Sequence, residues 1–176
     1  MFYIGEEKEE FIPEILLGSG TEGKVYYNKD SNEAVKIFYT FNGYDALMDE
    51  DEALKMSKIN TKYILLPRRL VYNEKGFFEG YTTPYIDRKI NLNDLQNYTE
   101  LVTNLYKDID VISMHKLVIN DIYNKPDNYI YNGSIYLIDP GFYYFSSGSI
   151  ECVRKINMKR INEFLESSEV KLVRKG

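Results

Sequence analysis

Three glycines, Gly18, Gly20 and Gly23, set the strongest constraint on how this chain folds. The run Gly18-Ser19-Gly20-Thr21-Glu22-Gly23 leads into Lys24-Val25-Tyr26-Tyr27, then a turn-rich Asn28-Lys29-Asp30-Ser31-Asn32, then the apolar Ala34-Val35-Lys36-Ile37. G-x-G-x-x-G also opens the dinucleotide-binding turn, but there it joins a strand to a helix. Here β-branched and aromatic residues follow the glycines, so the spacing predicts a strand–turn–strand hairpin. Glycines let such a turn lie close over phosphates, because no side chain blocks the approach and positive φ costs little.

The 176 residues make one domain, or one domain with two small lobes. Lysine and arginine number 22 against 27 aspartates and glutamates, a net charge of −5. No basic stripe is present, so nucleic-acid binding has no electrostatic support and no nucleic-acid partner is expected. One cysteine, Cys152, and one histidine, His115, exclude an internal disulfide, a thiolate zinc site and a multi-histidine metal site. Cys152 reads as a buried apolar residue. No apolar run approaches membrane-spanning length, and the first residues lack a basic-then-apolar signal pattern. The expected setting is therefore soluble and reducing, without a membrane partner: the cytoplasm, or export without a signal peptide if the chain is an effector. Seventeen tyrosines and no tryptophan are read as packing residues, since most tyrosines fall in strand-like runs.

Strands are expected at Glu14–Leu17, Lys24–Asn28 and Glu33–Tyr39, with Asn42-Gly43 breaking the chain. A helix is expected from Asp45 to Lys58, with Leu47, Leu54 and Ile59 on its apolar side and the acidic Asp49–Glu52 at its start. Arg69–Tyr72 and Phe77–Thr82 flank the hairpin signature Asn73-Glu74-Lys75-Gly76, and Thr83–Asp87 is too short and proline-broken for an element. Leu101, Leu105, Ile109 and Ile112 recur at helical spacing and end near His115. Tyr129–Tyr131 and Ile135–Ile138 bracket Asn132-Gly133, a second hairpin signature. A last helix is expected from Glu151 to Glu166, with Val153, Ile156, Ile161, Phe164 and Leu165 inward and Ser167-Ser168 ending it.

Asp121-Ile122 follows the long helix, Asn128 precedes a strand, and Leu137-Ile138-Asp139-Pro140-Gly141 closes the second hairpin. Together with the glycine run and Lys36, this order resembles the protein-kinase family over most of the chain. The resemblance implies an α+β, bilobal kinase-like fold. Residues 1–86 would form a five-stranded antiparallel N-lobe with one helix, and 87–176 a reduced, mainly helical C-lobe. ATP and Mg²⁺ are the implied cofactors. Gly18, Ser19, Gly20 and Gly23 would cover the phosphates, Val25 would cap the adenine, and Ala34 would join the ATP site. Lys36 would hold the α/β-phosphates and pair with an acid on the first helix, Glu52 first and Glu50 as the runner-up. Tyr85 and Ile86 would form the hinge, with the Ile86 N–H and the Pro84 carbonyl toward adenine and Thr83 at the back. Asp121 would orient the attacking hydroxyl and accept its proton, and Asn128 and Asp139 would hold the metal. His115, closing the long helix, reads as a packing or hydrogen-bonding residue.

Four features depart from that family pattern. Asp121 and Asn128 are seven apart where the family has five, so Tyr123–Asp127 must bulge and Lys125 is displaced. Ile119-Asn120 stands where the family carries His-Arg, Pro140 stands where it carries phenylalanine, and no Ala-Pro-Glu follows. Only 35 residues follow Gly141. A chain without an activation segment needs neither an aromatic latch nor an arginine to read its phosphate. The expectation is an ATP- and Mg²⁺-dependent phosphotransferase, acting on protein Ser/Thr or on itself, without a phosphorylation switch. A catalytically inactive nucleotide-binding scaffold is the alternative; a small-molecule kinase and transfer of AMP are weaker ones. The partners expected are a nucleotide and a protein substrate or activator, recognised through a further partner or through the Phe142–Phe145 surface.

Overall fold

Short alternating segments build a single antiparallel sheet in the first part of the chain. The computed structural model describes residues 1–40, 48–87, 98–122 and 128–167. The chain divides into two units, Met1–Lys58 with Pro67–Ile86, and Ile59–Leu66 with Asp87–Gly176. The segment 59–66, expected with the first lobe, therefore clusters with the second unit.

In the first unit the strands are β1 (Phe2–Ile4), β2 (Glu9–Phe11), β3 (Ile15–Ser19), β4 (Gly23–Asn28), β5 (Glu33–Phe38), β6 (Leu70–Asn73) and β7 (Phe78–Pro84). They form one seven-stranded sheet in the order β2-β1-β6-β7-β5-β4-β3, every pair antiparallel. The expected sheet had five strands. The added pair is β1–β2, whose three-residue strands are too short to show a period, joined by a turn with Gly5 and Lys8 at φ 71° and 53°. β7 also runs on through Thr83 to Pro84, where no element was expected; Pro84 sits at the strand end, opposite Glu33, where a missing N–H costs little.

Along β5, Glu33, Val35 and Ile37 are buried while Ala34 and Lys36 are half-buried, the alternation of a strand with two different faces. Val35 and Ile37 pack with Ile4, Phe11 and Val71, and Phe2 and Tyr26 cover that cluster. Phe38 meets Phe78 and Tyr81 edge-on, with ring centroids 5.9 and 5.8 Å apart. Helix α1 (Glu50–Ser57) is capped by Asp49. The Asp49 carboxylate accepts from the Glu52 N–H and the Glu52 carboxylate from the Asp49 N–H, a reciprocal cap. The acidic run is thus the helix start that the charge order predicted. Leu54, expected inward, is exposed; Ala53 and Met56 are buried instead. Asn42, Gly43, Asp45 and Leu47 lie outside the described residues.

The second unit contains α2 (Tyr98–Met114), β8 (Leu117–Val118), β9 (Tyr129–Tyr131), β10 (Ile135–Leu137), β11 (Tyr144–Phe145) and α3 (Ile150–Leu165). Leu101, Leu105, Ile109 and Ile112 are all buried, as their spacing predicts. The β9–β10 hairpin turns at Gly133, φ 65°, and β8 pairs with β11. In α3, Val153, Ile161, Phe164 and Leu165 are buried, but Ile156 is exposed and its neighbour Asn157 is buried. Cys152 is exposed, not buried, and so is the His115 side chain; both lie on outward-facing positions. The fold is mixed α+β. Among the described residues no helix is long and apolar enough to cross a membrane.

Candidate functional site

Period-two alternation and strand register gather part of the expected set in the first unit. Val25 lies directly opposite Lys36, and Gly18 opposite Val25. Ala34, two residues from Lys36, shares its face and lies opposite Thr83. Gly18, Val25, Ala34, Lys36 and Thr83 thus stand on one side of the sheet, away from the Val35–Ile37 cluster. Ser19 ends β3 opposite Lys24 and is exposed. After Pro84, the Tyr85 N–H donates to the Asn32 carbonyl at 3.2 Å, and Tyr85 and Ile86 are half-buried.

The glycines are not alike. None of the three in the motif has a positive φ, so backbone freedom is not what they supply. A Cβ on Gly23 would lie 2.2 Å from the Ile37 carbonyl oxygen, so this glycine is required by its own sheet. Among the described residues, a Cβ on Gly18 or Gly20 would meet nothing within 4 Å. These two leave open space that a bound group could approach.

Lys36 has an acidic partner in the glycine turn. Its Nζ donates to Glu22 Oε2 at 2.7 Å, with both side chains 12% exposed. Glu22 belongs to the glycine turn; on α1, Glu52 accepts within the helix cap and Glu50 accepts from the Tyr72 hydroxyl at 2.8 Å. Burial and the Glu50 charge push the Tyr72 phenol up to about 12.

In the second unit, Asp121 takes φ 53°, a left-handed conformation that aspartate tolerates better than most residues. Its carbonyl accepts from the amide Nδ2 of buried Asn128. The Asn128 carbonyl in turn accepts from the Ile138 N–H at 2.9 Å, which extends the β9–β10 ladder and sets Asn128 beside the Asp139 segment. Asp139 Oδ1 accepts from the Gly141 N–H at 3.2 Å, the turn chemistry that Asp-Pro-Gly has anywhere. Tyr123–Asp127, including Lys125, lie outside the described residues.

Two buried polar side chains hold these segments, and neither was foreseen. Asn157 Oδ1 accepts from the Ile119 N–H at 3.0 Å, while its Nδ2 donates to Ser113 Oγ and the Leu117 carbonyl. Arg160 donates to the Ile119 carbonyl. Both backbone groups of Ile119, two residues before Asp121, are therefore tied to α3. Asp108 Oδ2 accepts from the N–H groups of Lys62, Tyr63 and Ile64. That segment runs beside β10, with a parallel bridge from Ile64 to Leu137.

The donor types at Asn128 and Asp139 are oxygens. With the Asn128 amino group committed to Asp121, the remaining acceptor of that amide is its oxygen, and an amide oxygen with the Asp139 carboxylate suits a hard divalent cation. Among the described residues no cluster of three His, Cys, Asp or Glu is gathered. Mg²⁺ bound largely through phosphate and water needs none. A groove of about 890 Å³ in the first unit, lined by Tyr3, Leu54, Arg68 and Tyr72 among others, contains none of the expected residues. No protein-family model and no curated protein matches the chain.

Proposed function

We propose that this chain is an ATP- and Mg²⁺-dependent phosphotransferase of protein-kinase-like architecture, acting on a Ser/Thr hydroxyl of a protein or of itself. The observation that carries this reading is the glycine hairpin: a strand–turn–strand with Val25, Ala34 and Lys36 on one face and open space at Gly18 and Gly20. In this reading the first unit binds the nucleotide. Lys36 supplies a fixed cation for its phosphates, Val25 and Ala34 supply apolar surface for the base, and Pro84 and Ile86 supply backbone groups. In the second unit, Asp121 orients the acceptor hydroxyl and takes its proton as the new P–O bond forms and the bond to departing ADP breaks. Asn128 and Asp139 would hold Mg²⁺, which would supply charge neutralisation at the transferring phosphoryl. Asn157 and Arg160 position the Asp121 segment through Ile119.

The test is transfer of radiolabelled γ-phosphate from ATP to the chain itself or to a mixed protein acceptor. Lys36→Ala and Asp139→Ala should each lower it by roughly two or more orders of magnitude. Transfer that is unaffected by either substitution would refute the assignment.

A second reading, a nucleotide-binding module without catalysis, is favoured by one observation: Lys36 meets Glu22 while the α1 acids are occupied with the helix cap and Tyr72. Mg-ATP binding in calorimetry with no label transfer would select it.

A further inference from the structure

We propose that Glu22 is a tethered competitor for the phosphate groups that Lys36 binds, so that nucleotide must displace it from Lys36 to enter. The inference rests on the nucleotide reading above and adds a residue and a mechanism to it. The Glu22 carboxylate sits 2.7 Å from the Lys36 ammonium, a charge-assisted hydrogen bond at the length expected for a strong pair. Both side chains are only 12% exposed, so solvent screens the pair poorly. A phosphate brought to the same ammonium meets the Glu22 charge at close range, and two anions on one cation in a partly dry place repel each other.

The pair is not needed to shape the turn. The Gly20 N–H donates to the Gly23 carbonyl at 2.9 Å, and the Tyr39 N–H donates to the Glu22 carbonyl at 2.9 Å. These backbone bonds close the turn and anchor its tip to the end of β5 with no help from a carboxylate. They also hold the Glu22 backbone in place, so displacement from Lys36 needs only the side chain to move. Its swing exchanges one anion on Lys36 for another, and nucleotide affinity falls by the cost of breaking the first contact. An acid that instead aimed Lys36 at the phosphate would raise affinity, so the sign of the effect separates the two roles.

The experiment is calorimetric titration of the full chain, wild type, Glu22→Gln and Glu22→Ala, with Mg-ATP and with adenosine. Both variants are expected to bind Mg-ATP more tightly than wild type, on the order of tenfold, and to bind adenosine, which has no phosphate, as wild type does. Equal or weaker Mg-ATP binding by the variants would overturn the competitor role while leaving the nucleotide reading standing. An equal gain for adenosine would overturn it too, because the effect would not run through phosphate. No Mg-ATP uptake by any of the three chains would remove the nucleotide reading itself, and this proposal with it.

Discussion

Replacing Asp108 by alanine takes one carboxylate oxygen away from three backbone N–H groups at once. Asp108 is 7% exposed, and its Oδ2 lies 3.0, 2.6 and 2.9 Å from the nitrogens of Lys62, Tyr63 and Ile64. The three donors do not suffer equally. Lys62 is exposed, so its N–H finds water; Tyr63 is half-buried; Ile64 is fully buried, and its N–H is left without an acceptor. An orphaned buried donor costs about 1–3 kcal/mol, and a lost bond to a charged group about 1.5–3 kcal/mol. The expected loss is therefore roughly 3–5 kcal/mol, a large share of the ~5–15 kcal/mol that holds a domain of this size. Asp108→Asn keeps an oxygen at the site and loses only the charge, so its cost should be about half as large. The damage should also travel. The Leu65 N–H donates to the Leu137 carbonyl and the Leu137 N–H to the Tyr63 carbonyl, both at 2.8 Å, so a loosened 62–64 segment frees β10 two residues before Asp139. Urea unfolding followed by circular dichroism measures the first effect, and hydrogen exchange at the Leu65 and Leu137 amides the second. A loss under 1 kcal/mol for Asp108→Ala, or unchanged exchange at Leu137, would refute the claim that this carboxylate holds the segment.

Gly23→Ala should destabilise the sheet by about 2 kcal/mol or more, since its Cβ would collide with the Ile37 carbonyl. Gly18→Ala should leave urea stability within about 1 kcal/mol and weaken Mg-ATP binding instead; equal stability losses for the two would contradict the division of roles. Tyr131 has its phenol pushed up to about 12 by burial, and its hydroxyl has no hydrogen-bond partner among the described residues. The raised value means that stability is present below the unfolded phenol value near 10 and is lost as pH climbs through about 12. Tyr131→Phe should flatten that alkaline loss without lowering stability at pH 7, which an unfolding series from pH 7 to pH 12 reads directly. Burial pushes the Glu9 carboxyl up, but hydrogen bonds from Arg69 and Asn28 and the Arg69 charge outweigh it and hold it below its ordinary value. That contribution is present above the unfolded carboxylate value and lost as pH falls through the folded one. Urea midpoints in Glu9→Gln should therefore vary less than wild type below about pH 4.5, and identical acid slopes would refute it.

What could be read from the chain and what could not divides along a physical line. Leu101, Leu105, Ile109 and Ile112 announce α2 because apolar residues at helical spacing have one common reason to be there, and all four are buried. The same rule misled at α3, where it chose Ile156 because it is apolar and passed over Asn157 because it is not. The stripe Val153, Asn157, Ile161 keeps the helical repeat, so a polar residue at an inward position was itself the signal: it marks a buried partner that the chain must bring from elsewhere. Asp108, between Leu105 and Ile109 on α2, carries the same signal. Neither can be given its partners from local pattern, since Ile119 and the 62–64 segment are 38 or more residues away in sequence. The glycines fail in the opposite direction. Gly18, Gly20 and Gly23 look equivalent as letters, yet the backbone of β5 fills the space at Gly23 and none of the described residues fills it at the other two. Lys36 shows a third limit: the family pattern points to an acid on α1 and says nothing of Glu22, an acid of the turn itself that lies 2.7 Å from the ammonium. A motif therefore names which residues to compare, and only register and burial decide which of them are held by the fold and which are left to meet a ligand.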